Sequence, residues 1–289
     1  MRWLRLQLGP SYPLTMHVRT TVPANLFTRC QFRSIVDNAS NLIFITENNK
    51  HLTEHLVRKK IRGAEIFNIV RVPENIEANA ELASDPRFKV AVLSNYDYMR
   101  GIDRLVDTAC ILAERGRRDV LFIIAGKMNL SPSSPGELGK IGRRGGTLAD
   151  YAKENHVANM FRFLGHIADP YPVLAACDLL AKPTREYNPW GRDILEAMAF
   201  GRPVITVGTY DRFVENGVTG VLHAEFDAEE WADDIARLAD DRRLGQRLGS
   251  AAAERVAKLC DGPSRAHDLL AVWQSAIAES SEERNSCAA

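Results

Sequence analysis

Apolar positions along the chain fall into short continuous runs, separated by longer stretches in which they recur with a helical period. NLIFIT (41–46), IFNIVRVP (66–73), FKVAVLSN (88–95), VLFIIAG (120–126), MFRFLG (160–165), LLAKPT (179–184) and PVITVG (203–208) are runs of strand length bounded by polar, glycine or proline residues. Between them lie the helical patterns ENNKHLTEHLVRKK, IDRLVDTACILAERG (102–116, closed by Gly116), TLADYAKENHV (147–157) and PVLAACD (172–178). A small-residue helix begins near Arg192, and helices are predicted over 228–240, 242–259 and 263–278. Strands alternating with helices at this spacing predict an α/β fold, a parallel sheet with crossover helices. ENIEANAELASDP (74–86) is the linker candidate. SPSSPGELGKIGRRGG (131–146) reads as a Ser/Pro/Gly-rich loop, and the residues from Glu279 onward as a disordered tail.

Composition narrows the class. A chain of 289 residues fits two compact units, and 37 residues of each charge sign leave no net field to draw in nucleic acid or an anionic membrane. Cys30, Cys110, Cys177, Cys260 and Cys287 are scattered, odd in number and free of CxxC spacing, so they read as thiols in a reducing compartment. His51, His55, His156 and His166 show no metal-ligand pattern. The start MRWLRLQLGP has no apolar core of a signal peptide, and no run reaches transmembrane length. The expectation is a cytoplasmic protein without a metal.

Ligands of open parallel sheets bind outside the carboxyl ends of the strands. Three loops fall there: SNYDYMRG, AGKMN and REYNPWG. In the third, Gly191 lets the backbone approach a ligand, and the helix from Arg192 turns its free N–H groups into the loop, where they suit an anion. Glu196 lies one turn into that helix, placed to accept hydrogen bonds from vicinal ribose hydroxyls. Taken alone, a helical glutamate more often reads as solvated.

The stretch GRDILEAMAFGRPVI, with GVTGVL (217–222), LFIIAGKMN and FRFLGHIADPYPVLAACDLLAKPT around it, resembles glycosyltransferase family 4. The resemblance covers about residues 35–278. It implies the GT-B fold: a Rossmann-like C-terminal domain for the nucleotide-sugar donor beside an N-terminal Rossmann-like domain for the acceptor. It implies two glutamates eight positions apart, the second of which is Glu196. The first falls on Asn188, which donates and accepts hydrogen bonds but carries no charge. The family's paired diphosphate-binding cations map to Asn95 and Arg100, so one is kept and one lost. Arg192 is the candidate to restore that charge, and it reads equally as a solvated first-turn residue. Gly126 and Lys127 fall by the phosphates, although a loop lysine is more often only solvated; GRRGG (142–146) reads as a flexible insertion. Gly165 and His166 fall by the nucleobase. Pro189 and Trp190 belong to the donor loop, Trp190 either walling the pocket or packing the turn.

By the same resemblance, residues 1–78 are a partial acceptor-side domain and 79–262 the donor-binding domain. Residues 263–278 form a helix crossing back to the N-terminal part, and 279–289 the tail. NASNLIFITENNKHL is similar to the end of the family's first domain, and the opening strands of that domain have no recognisable counterpart. The implied function is retaining transfer from a nucleotide-diphosphate sugar, without a cofactor, to a sugar, lipid or small-molecule acceptor. Arg100, Asn188 and Glu196 would be its catalytic groups, and peripheral membrane contact is compatible with it. The alternatives are an inactive nucleotide-sugar-binding module and, more weakly, a nucleotide-sugar epimerase. The sugar, nucleobase, acceptor and oligomeric state are not legible.

Overall fold

The computed structural model describes residues 7, 9, 12–19 and 25–288, with side chains as far as residue 281. The opening stretch MRWLRLQLGP therefore lies almost wholly outside the described residues. The chain divides into two compact units, one made of residues 1–69 and 259–289, the other of Val70–Lys258.

The first unit begins with β1 (Thr15–Val18), α1 (Leu26–Asn38), β2 (Asn41–Phe44), α2 (Glu47–Val57) and β3 (Gly63–Glu65). Its three strands pair in parallel in the order β1-β2-β3. The helices start where their caps dictate. The Asn25 side chain accepts from the Thr28 N–H to open α1, and Thr46 accepts from the Asn49 N–H to open α2. Val18, Leu42, Phe44, Val57 and Ile61 form the core. The strand expected at 66–73 is displaced to Gly63–Glu65, because its partner β2 has only four residues. After Ile66 donates to the Phe44 carbonyl, the ladder has no further rungs.

The second unit continues the chain with α3 (Ala80–Ser84), β4 (Phe88–Leu93), α4 (Arg104–Glu114), β5 (Val120–Ala125), α5 (Gly136–Arg143) and α6 (Leu148–Glu154). Then follow β6 (Phe161–Gly165), α7 (Tyr171–Ala176), β7 (Leu179–Lys182), α8 (Arg192–Ala199), β8 (Val204–Val207), β9 (Gly220–His223), α9 (Ala228–Asp240) and α10 (Arg242–Leu259). Two of these correct the sequence reading: α3 lies within the expected linker, and α5 within the expected loop 131–146. The six strands form one sheet in the order β6-β5-β4-β7-β8-β9, parallel throughout. Every residue of β5 is buried, as expected for a strand covered on both faces and as its unbroken apolar sequence anticipates. On one face α4 packs against α9, which buries Trp231, Ala232, Ile235 and Leu238. Each large side chain so buried contributes about 1.5–3 kcal/mol.

The last helix, α11, spans Gly262–Ala288 and belongs to the first unit, where the Asn41 side-chain amide donates to the Val272 carbonyl. It runs past Glu279, where the sequence reading ends order. ESSEERNSCA is polar but contains good helix formers, and Ser275 donates to Glu279 one turn on.

Candidate functional site

The strand order of the larger sheet reverses between β4 and β7. In such a sheet the two chain directions diverge there and leave a crevice at the carboxyl ends of the strands. A cavity of about 290 Å³ occupies that end. Its walls come from the exits of β4 (Leu93, Ser94, Asn95) and β5 (Ala125, Gly126), from the turns after β6 (His166, Ile167, Pro170), and from α8 (Arg192, Asp193, Glu196).

The β4 and β5 exits are tied together through backbone. Ser94 donates to the Ala125 carbonyl at 3.0 Å and Gly126 to the Gly165 carbonyl at 2.7 Å. The Asn95 side-chain oxygen accepts from the Lys127 backbone N–H at 2.8 Å, so Asn95 shapes the loop where the family pattern has a cation. The Lys127 side chain is left exposed.

The α8 wall rests on Gly191, its N-cap. Its φ of 147° is a conformation that side chains with a Cβ rarely adopt. A Cβ there would lie 2.5 Å from Asp193 Oδ1 and 2.6 Å from Lys182 Nζ. Lys182, at the end of β7, is buried. Its ammonium donates to the Trp190 carbonyl at 2.6 Å and pairs with Asp193 at 3.3 Å. A cation beside a helix N-terminus is electrostatically unfavourable; Asp193 compensates it and fixes the turn in the process. Sequence reasoning passed over Lys182. The available signal was a lone charge in the apolar run LLAKPT, in a strand destined for the middle of the sheet.

Glu196 is the buried carboxylate of the cavity. Its side chain is 8% exposed, and Arg192, one turn earlier and 80% exposed, donates Nε to its Oε1 at 2.7 Å. An acceptor thus faces the cavity with an exposed cation as its hydrogen-bond partner among the described residues.

Of the residues singled out from sequence, the cavity brings together Asn95, Gly126, His166, Arg192 and Glu196. Gly165, Lys127, Pro189, Trp190 and Gly191 lie in the loops behind its walls. Trp190 is buried, with its ring edge-on to Tyr210 at 5.6 Å, so it packs the turn. Arg100 is exposed at the end of the 3-10 turn Tyr98–Arg100 and does not line the cavity. That turn is clamped to the exit of β7. Arg185 grips Asp103 through two hydrogen bonds, at 2.9 and 2.6 Å, and its guanidinium lies 3.9 Å above the Tyr98 ring. Asn188 does not line the cavity either. Its amide donates to Glu186 at 2.7 Å, while its own oxygen is buried without a partner. GRRGG forms the end of α5 and the turn after it. Among the described residues no group of three His, Cys, Asp or Glu side chains could hold a metal ion, and no helix is long and apolar enough to cross a membrane.

The sequence model of "Glycosyl transferases group 1" matches residues 74–255, more than half of the chain. The chain belongs to this family. Within it, alpha-D-kanosaminyltransferase of Streptomyces kanamyceticus is 32% identical over 156 residues, 53% of this chain and 37% of that protein. D-inositol 3-phosphate glycosyltransferase of Corynebacterium aurimucosum is 31% identical over 247 residues, 78% of this chain and 54% of that one. The chain thus spans about a third to a half of the length of these curated relatives. Among solved structures, Anabaena Alr3699/HepE in complex with UDP and glucose superposes with a TM-score of 0.74 at 21% identity, covering 91% of this chain and 72% of that one. Sucrose-phosphate synthase of Thermosynechococcus elongatus gives 0.74 at 20% identity, covering 96% and 71%. The glycosyltransferase fold, α/β and of GT-B type with parallel Rossmann-like sheets, is common to all of these structures.

Proposed function

We propose that the cavity binds a nucleotide-diphosphate sugar and that the protein transfers the sugar, with retention, to a hydroxylated acceptor. The observation that carries this reading is the buried Glu196 carboxylate on the cavity wall, one turn from the Gly191 N-terminus of α8. Vicinal ribose hydroxyls would donate to Glu196. The first N–H groups of α8 and the Arg192 guanidinium would meet the diphosphate, where leaving-group charge grows during transfer. Arg100, outside the cavity lining on the loop that Arg185 fixes, would reach the diphosphate only by turning its exposed side chain inward, and Asn95 adds shape without charge. His166 and the turn after β6 would flank the base. No metal or other cofactor enters the scheme, because these cations and the helix terminus take the charge. The UDP held by the Anabaena structure supports a nucleotide ligand of this class.

One observation favours a second reading, a binding module without turnover. At the position where the family carries its sugar-side glutamate, Asn188 turns its amide to Glu186 and does not face the cavity. Calorimetry with UDP, GDP, ADP and their glucose conjugates, followed by an assay for donor hydrolysis, separates the readings. Nucleotide binding with turnover supports the transferase and binding without it the module; no nucleotide binding sinks both.

A further inference from the structure

The connection from β5 to α5, residues 126–135, is longer than the two to six residues usual between strand and helix, and it helps to build a second cavity. This one measures about 320 Å³ and lies against the loop that leaves the first, so that Asn95 lines one cavity and Tyr96 the other. Its walls are the Tyr96, Asp97 and Tyr98 side of the β4 loop and, opposite, Asn129, Ser133 and Ser134.

The serine wall is rigidly made. Ser134 donates its N–H to the Ser131 carbonyl, and the Ser131 and Ser133 hydroxyls share a hydrogen bond of 2.7 Å. Helix α5 presses on this turn through Gly139, where any Cβ would strike the Ser134 carbonyl. The Ser134 residue is 9% exposed. Its Oγ is buried with no hydrogen-bond partner of ordinary geometry beyond a weak contact with the Tyr96 hydroxyl, a phenol that burial and the nearby Asp103 hold protonated well above its ordinary range. A buried hydroxyl left without a partner costs stability unless a ligand satisfies it.

The charge on the walls limits the occupant. Asp97 is the charged lining residue, and it repels anions. One of its oxygens already accepts the Met99 N–H at 2.8 Å, and the neighbouring Asp103 is committed to Arg185, so a cation has no carboxylate pair to hold it. What remains is a set of hydroxyls and an amide that donate and accept together, beside two aromatic rings. That set matches a neutral ring bearing several hydroxyl groups.

We propose that this cavity is a subsite for one neutral saccharide unit, held by Asn129, Ser133, Ser134 and Asp97. That the polyol is a saccharide rests on the glycosyl-transfer reading of the adjoining site; occupancy itself does not depend on nucleotide.

The test is saturation-transfer NMR on the full chain with glucose and maltose, run without nucleotide. The expected result is transfer to at least one of these sugars and a loss of affinity of about tenfold or more in Asn129→Ala and in Ser133→Ala, the change expected when a hydrogen bond is removed from a polar pocket. UDP affinity should be unchanged in both variants. Circular dichroism confirms that each variant is folded. No transfer from either sugar, or transfer that survives both substitutions, overturns the proposal. Failure of UDP to bind while the saccharide signal responds to the variants would overturn the donor reading and leave this subsite standing.

Discussion

Glu196 and Lys182 are two buried charges, and they answer to different measurements. Glu196→Gln removes the acceptor expected for the ribose, which nucleoside and nucleoside diphosphate share. Both ligands should therefore weaken, each by about 1.5–3 kcal/mol, the range for hydrogen bonds to a charged group; unchanged affinity in calorimetry would remove Glu196 from the site. Arg192→Ala should instead weaken the diphosphate more than the bare nucleoside. Equal losses would limit Arg192 to its observed contact with Glu196. Lys182→Met leaves Asp193 without its cation and the Trp190 carbonyl without its donor, so it should cost about 3 kcal/mol in urea unfolding. Adding Asp193→Asn should recover part of that loss, because the two changes share one interaction. Strict additivity would show that the pair does not act as one.

At the scale of elements, the N-terminus of α8 exists because Gly191 can hold φ at 147° with Lys182 beneath it. Gly191→Ala should unwind that first turn and lower diphosphate affinity more than nucleoside affinity, readable in the same titrations. At the far edge of the sheet, β9 is fastened to α9 by His223, whose ring nitrogens face Asp234 at 2.8 Å and Glu230 at 3.1 Å. The hydrogen bond to Asp234 raises the His223 pKa above its ordinary value against the opposing effect of burial. A raised folded-state pKa contributes stability that is fully present below the unfolded value of about 6.5 and is lost as pH rises through the folded value. The melting temperature should therefore fall as pH rises above about 6.5, and His223→Gln should flatten that fall; an unaltered slope would acquit the histidine. Elements of this kind differed in how legible they were. β4, β5 and β8 could be read from sequence because strands covered on both faces need nearly continuous apolar runs, unbroken in β5 and interrupted once in each of the others, by Lys89 and Thr206. β1, with the mixed sequence TMHV, carries no such run, and α5 owes its place to packing of Leu138 and Ile141 that the surrounding Ser, Pro and Gly conceal. Glu196 was legible as a position in a motif. Its pairing with Arg192, the withdrawal of Asn188 to Glu186, and the role of Lys182 depend on side-chain directions that no one-dimensional pattern contains.

For the molecule as a whole, the larger unit, Val70–Lys258, is one unbroken stretch of chain that carries a complete core and every wall of both cavities. Expressed alone, it should melt cooperatively by circular dichroism and bind UDP as the full chain does. A fragment that fails to fold would show that its stability is borrowed. The smaller unit is assembled from two segments that flank the larger one, residues 1–69 and 259–289. Chains are made from the N-terminus onward, and domains fold as units while they emerge. Residues 1–69 must then wait for residues 259–289, while the larger unit emerges between them and can close at once. A nascent chain stalled shortly before Leu259 would display a finished larger unit and an unfinished smaller one. Both cavities are therefore built before the smaller unit can close.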